Sequence, residues 1–115
     1  PDLIRKQNGK KMLFDESDSW YKKELKATAK AIAKAGVVAE INVGGISRGY
    51  METPYPSQEF LELLYENNVP VAFASDAHYA EHLDCWMEEA LEYIKKAGYT
   101  ELHYFQAGTV KSQRI

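Results

Sequence analysis

Val37-Val38-Ala39-Glu40-Ile41-Asn42-Val43, followed at once by Gly44-Gly45, is the stretch on which the fold turns. The run is short, β-branched and nearly continuous in apolar residues, which suits a buried strand. Val69 to Ala74 reads as a second buried strand, and Glu101 to Phe105 as a third. Helical periodicity surrounds them. From about Trp20 to Ala35, apolar or small residues fall at Trp20, Tyr21, Leu25, Thr28, Ala29, Ile32 and Ala33, opposite a solvated face of Lys22, Lys23, Lys26 and Lys30. Asp15, Ser17 and Asp18 are N-cap candidates for this helix, and Gly36 is its stop. Ser57 caps a helix expected over Gln58 to Glu66, and a third helix is expected from about Leu83 to Ala97. The order helix, strand, helix, strand, helix, strand predicts parallel strands joined by helical crossovers.

The 115 residues suffice for one domain, and 45% apolar with 27% charged residues excludes a disordered or collagen-like chain. A net charge of -3 argues against a nucleic-acid backbone as partner. No run approaches the roughly 20 apolar residues of a membrane span, and the polar start at Pro1 to Lys11 predicts no signal peptide. Cys85 is the single cysteine, so a cytoplasmic setting is expected. The chain begins at Pro1 without Met, which suits either a processed protein or a piece of a longer one, and its three strands fall short of a closed barrel. It is therefore expected to be part of a larger α/β unit.

In parallel α/β folds, function gathers at the carboxyl ends of strands. At the first such end, Glu40 and Asn42 lie two apart and share a strand face. They serve either an internal hydrogen-bond network or the floor of an active site. Gly44-Gly45 leaves room for backbone N–H groups to approach an anion, and Arg48 follows with a planar fork suited to phosphate. At the second end, Asp76 and His78 stand one residue apart, with Ser75 placed to brace the carboxylate. Carboxylate and imidazole both ligate Zn, Mn or Fe. The structural alternative makes Asp76 a turn cap and His78 a loop residue. His82 reads as surface or as support for that site, His103 as structural, and Cys85 as a small buried hydrophobe. Trp20, Trp86, Tyr93 and Tyr104 read as core or interface aromatics.

Several stretches together resemble the C-terminal part of a histidinol-phosphatase of the PHP (polymerase and histidinol phosphatase) family. They are Pro1 to Lys6, Glu40-Ile41-Asn42-Val43-Gly44-Gly45-Ile46-Ser47-Arg48, Pro54-Tyr55-Pro56-Ser57 and Ser75-Asp76-Ala77-His78-Tyr79. The resemblance covers nearly the whole chain, in order. It implies the C-terminal part of a distorted, seven-stranded TIM-like β/α barrel, with residues 1–115 forming part of one phosphatase domain. It implies up to three divalent metal ions (Mn, Zn or Fe), with Asp76 and His78 matching the family's late Asp-x-His ligand pair. The family's early ligands, an H-x-H among them, have no counterpart here, so the ligand set in this chain is incomplete. By the same resemblance, Pro1 follows a metal-binding histidine, and the sequence is expected to be a piece of a protein more than twice as long.

The activity so implied is hydrolysis of L-histidinol phosphate to L-histidinol and phosphate, in histidine biosynthesis. Arg48 would grip phosphate, with Arg5 a second candidate, and Asp76 or His78 would relay a proton to the leaving oxygen. Glu40 or Glu52 would meet the substrate's cationic end, and Asn42 and Ser75 complete the expected site. Alternatives are a PHP-type phosphoesterase for another phosphomonoester or a nucleotide, or a non-catalytic α/β module that binds a partner through exposed aromatics. The expected partners are the small phosphate ester, the missing N-terminal part of the same barrel and, through exposed sheet edges, another copy of the chain.

Overall fold

The structure, a computed structural model, describes residues 2–115. After a 3-10 turn at Leu3–Gln7 come α1, Ser19–Ala35, β1, Ala39–Asn42, and a single turn, α2, Gly44–Ser47. Then follow α3, Gln58–Glu66, β2, Val71–Ala74, and a 3-10 turn at Ala80–His82. The chain finishes with α4, Met87–Lys96, β3, Glu101–Gln106, and β4, Thr109–Arg114.

Each helix ends where local chemistry stops it. Asp18 stands at the N-cap position of α1, and Gly36 closes the helix at φ 65, a left-handed conformation that glycine adopts without steric cost. Tyr21, Leu25 and Ala29 face inward at four-residue spacing, while Lys22, Lys23, Lys26 and Lys30 stay exposed. Trp20, expected as a core or interface aromatic, is not in the core: it is exposed and sits edge-on to Phe14. Ser57 caps α3 as expected, its hydroxyl accepting from the Phe60 N–H at 3.3 Å. The third helix starts at Met87 rather than Leu83, because the backbone turns left-handed at Trp86, with φ 59.

β1 and β2 pair in parallel, Ala39 opposite Val71 and Asn42 opposite Ala74, with α3 crossing between them. Ile41, Phe60, Leu61, Leu64, Val69, Val71 and Ile94 form the dry centre against which these elements pack. Burial of each such large side chain contributes about 1.5–3 kcal/mol relative to exposure. β1 is not buried on both faces, however. Ala39 and Ile41 are buried, whereas Glu40 is exposed and Asn42 half-buried. The strand has one apolar and one polar face, and the polar face supplies the site.

The third strand corrects the all-parallel expectation. β3 pairs antiparallel with β4 across Ala107-Gly108, both at positive φ as a two-residue hairpin requires. It runs near β2, with Cα atoms within 8 Å, but in a separate sheet. A hairpin closes its loop over two residues, so β4 satisfies the β3 backbone at little entropic cost. Tyr104, expected as a core or interface aromatic, is exposed on this hairpin. The architecture is thus mixed α/β, with a two-stranded parallel sheet and a two-stranded antiparallel sheet, and no barrel closes among the described residues. No helix among them is long and apolar enough to cross a membrane.

Candidate functional site

Backbone bonds bring the two parallel strand ends together. The Val43 N–H donates to the Ala74 carbonyl at 3.1 Å, just beyond the ladder. Asn42 and Tyr55 exchange two backbone bonds, of 2.7 and 3.0 Å, which fold the loop after α2 back over the end of β1. The Asn42 side chain then ties the floor together. Its amide donates to Glu40 Oε1 at 2.8 Å, and its carbonyl oxygen accepts from the Gly44 N–H at 2.9 Å. Glu40 and Asn42 therefore share a face, form an internal network and border an open cavity, all at once. The Gly44 N–H is committed to Asn42, so of the Gly44-Gly45 pair this donor is not free for an anion.

Arg48 and Asp76 meet across this floor. Arg48 Nη2 donates to Asp76 Oδ2 at 2.7 Å, and Nη1 donates to the Asp76 backbone carbonyl at 2.8 Å. Asp76 takes φ 49, a left-handed conformation that aspartate tolerates better than most residues and that presents both oxygens to one guanidinium. The Arg48 hydrogen bond, only partly opposed by desolvation, holds the Asp76 carboxyl below the usual carboxylate range. Gly44 makes this arrangement possible. A Cβ there would lie 2.6 Å from both Arg48 Nη2 and Asp76 Oδ2, and 2.8 Å from Asp76 Cβ. His78 completes the group: its Nε2 stands 3.7 Å from Asp76 Oδ1, with the ring largely exposed at the rim.

The cavity holds about 290 Å³ and is bordered by Glu40, Asn42, Arg48 and Asp76 together with Lys6 and Tyr55. The structure thus gathers Glu40, Asn42, Arg48, Asp76 and His78. It does not gather Arg5 or Ser75. The Arg5 guanidinium donates to Glu16 at 2.9 Å and lies 3.5 Å from Asp2, with Thr53 at 3.4 Å. Burial alone would lower its pKa, but the Glu16 hydrogen bond and the neighbouring carboxylates outweigh burial and raise it. Arg5 borders a second, neighbouring cavity together with Glu52, one that Arg48 does not line, so neither takes the place expected of it. Arg48 occupies Asp76 where Ser75 was expected to brace it.

Asp76 Oδ1 and His78 Nε2 suit one cation in their chemistry and spacing, since a divalent ion about 2.1 Å from each would span their separation at an open angle. No third His, Cys, Asp or Glu joins them among the described residues. These two donors therefore make part of a metal site rather than a closed one. Sequence reasoning passed over Lys6, Tyr55 and Asp2. Asp2 is almost fully buried and accepts from the Ser57 N–H at 2.8 Å; its spacing of three from Arg5 was the available signal. Tyr55 has a buried hydroxyl without a partner, and burial raises its pKa. Compared with protein-family models and with curated proteins, the sequence matches none.

Proposed function

We propose that this chain is the C-terminal part of a PHP-type, metal-dependent phosphomonoesterase acting on L-histidinol phosphate. The observation that carries the reading is the shared Asp76 carboxylate, with Oδ2 on Arg48 and Oδ1 facing His78, at the carboxyl ends of two parallel strands. Phosphoryl transfer needs cations to neutralise phosphoryl oxygens and a means of activating water, and these residue types meet both needs.

In this reading, Asp76 and His78 hold a divalent cation (Mn, Zn or Fe) that supplies Lewis acidity at the reacting oxygen. The remaining donors come from polypeptide preceding Pro1, which also covers the polar face of the β1–β2 pair as the rest of a barrel. Arg48, whose two terminal nitrogens both hold Asp76, orients that carboxylate and brings its charge and remaining N–H donors to an incoming phosphate. Glu40, with Oε1 on Asn42, faces the cationic end of the substrate from the opposite part of the floor.

The test uses the longer parent protein. Purified with its metal, it should release phosphate from histidinol phosphate faster than from a panel of other phosphomonoesters. His78→Ala should lose bound metal, measured by elemental analysis, together with activity. Retention of both in that variant would defeat the assignment. The 115-residue chain by itself should be inactive, because two ligands do not close a metal site.

A further inference from the structure

We infer that Lys6 is a second cation that, with Arg48, grips the phosphate group. Lys6 and Arg48 are the two basic side chains that border the cavity. Arg48 already spends one donor on the Asp76 carboxylate. Lys6 makes no ion pair among the described residues, so its charge is free for an incoming dianion. Its neighbour Arg5 is held by two carboxylates on the other side of the turn. Successive residues of a 3-10 turn project about 120° apart, so burying Arg5 turns Lys6 toward the cavity.

Tyr50 guides the Lys6 side chain. Lys6 Nζ lies 5.4 Å from the centre of the Tyr50 ring, which is itself a wall of the cavity. A cation over an aromatic face is attracted to it, and this restrains an otherwise flexible stem. Lys10 approaches the same ring at 5.2 Å but borders only the neighbouring cavity. A phosphate dianion lodged between Lys6 and Arg48 would thus find two cations, one of them uncommitted, and charge-assisted hydrogen bonds to both.

The role of Lys6 in a reaction rests on the phosphatase reading, whereas its capture of phosphate does not, and the experiment separates the two. The 115-residue chain is titrated with inorganic phosphate by calorimetry, with circular dichroism confirming that each variant is folded. Lys6→Ala should weaken binding about tenfold or more, and Lys6→Arg should restore most of it. Lys10→Ala, which removes the same charge from the same ring, should change affinity by no more than about twofold. Equal losses in the Lys6 and Lys10 variants, unchanged affinity in Lys6→Ala, or no phosphate binding by the unaltered chain at millimolar concentrations would each overturn the inference. If Lys6-dependent binding persists while the metal-loaded parent hydrolyses no phosphomonoester, the phosphatase reading falls and this one stands. If the parent hydrolyses its substrate and Lys6→Ala leaves KM unchanged, the reverse holds.

Discussion

Arg5 and Arg48 place the same guanidinium in opposite circumstances. Arg5 is 11% exposed and faces Asp2, which is 1% exposed, so that pair is removed from water. Asp2 in turn accepts from the Ser57 N–H, which fastens the N-terminal turn to the start of α3. Arg48 is 22% exposed and Asp76 39%, and their pair opens onto the cavity. A buried ion pair supports the fold because losing one partner strands the other charge. A half-exposed pair contributes little to stability and stays accessible to a ligand. Burial, not residue type, separates the supporting arginine from the one available for function.

The largest effect expected is on the buried cluster. Arg5→Ala should cost roughly 3 kcal/mol of stability by leaving Asp2 uncompensated, whereas Arg48→Ala should cost less than about 1 kcal/mol. Urea unfolding of both variants measures this directly, and equal losses would break the contrast. Under the proposed phosphatase reading, activity should show the reverse order: in the metal-loaded parent, Arg48→Ala should lower kcat/KM on the order of a hundredfold, read from phosphate release at several substrate concentrations.

Alkaline pH tests the buried cluster by another route. Tyr21 borders Asp2 and Glu16; burial first, and then their negative charge, push its pKa up to about 12. Because the folded value lies above the unfolded one, its contribution is intact below about pH 10 and falls as pH rises toward the folded value, a loss on the order of 2 kcal/mol. Urea midpoints at pH 9 and pH 11 should show the decline, with Tyr21→Phe removing this residue's share. The smallest effect belongs to the exposed cluster. The Asp76 carboxyl titrates below its usual range because of Arg48. Its contribution is present above the ordinary carboxylate pKa of about 4 and is lost as pH falls through the folded value. Solvent screening keeps that contribution under about 1 kcal/mol. Comparing Asp76→Asn with the unaltered chain from pH 5 to pH 2 should show the parent losing slightly more stability than the variant, and a large difference would mean the pair is less exposed than described.

Much of the site was legible because its residues sit close in sequence to elements with strong local signals. The β-branched run ending at Val43 and the apolar run ending at Ala74 marked two strand ends; Glu40 and Asn42 follow from the first by the two-residue period of a strand, and Asp76 and His78 stand just beyond the second, where the chain turns out of the strand. Arg48 was placed first from the sequence and Arg5 second; that Arg5 would be withheld from the cavity was not legible. Arg5 and Arg48 look alike until the chain folds, and only the fold brings Asp2 and Glu16 onto one of them. The β4 strand was also missed. Thr109 to Arg114 has almost no apolar content, and its pairing depends on the positive φ of Ala107 and Gly108 rather than on a hydrophobic face.

From the sequence alone came the helices α1 and α3, the Gly36 stop and the Ser57 cap, the parallel β1–β2 pair and the candidates at its carboxyl ends, because hydrophobic period, capping chemistry and turn residues act over a few positions. Tertiary structure alone decided that β3 would turn back on β4, that Arg5 would be consumed by Asp2 and Glu16, and that Arg48, Asp76 and Lys6 would border one cavity. Only the shared cavity joins residues tens of positions apart, whereas the hairpin and the Arg5 cluster are short-range pairings whose partners several nearby residues could have taken; which charges lose their water is fixed only when the core closes.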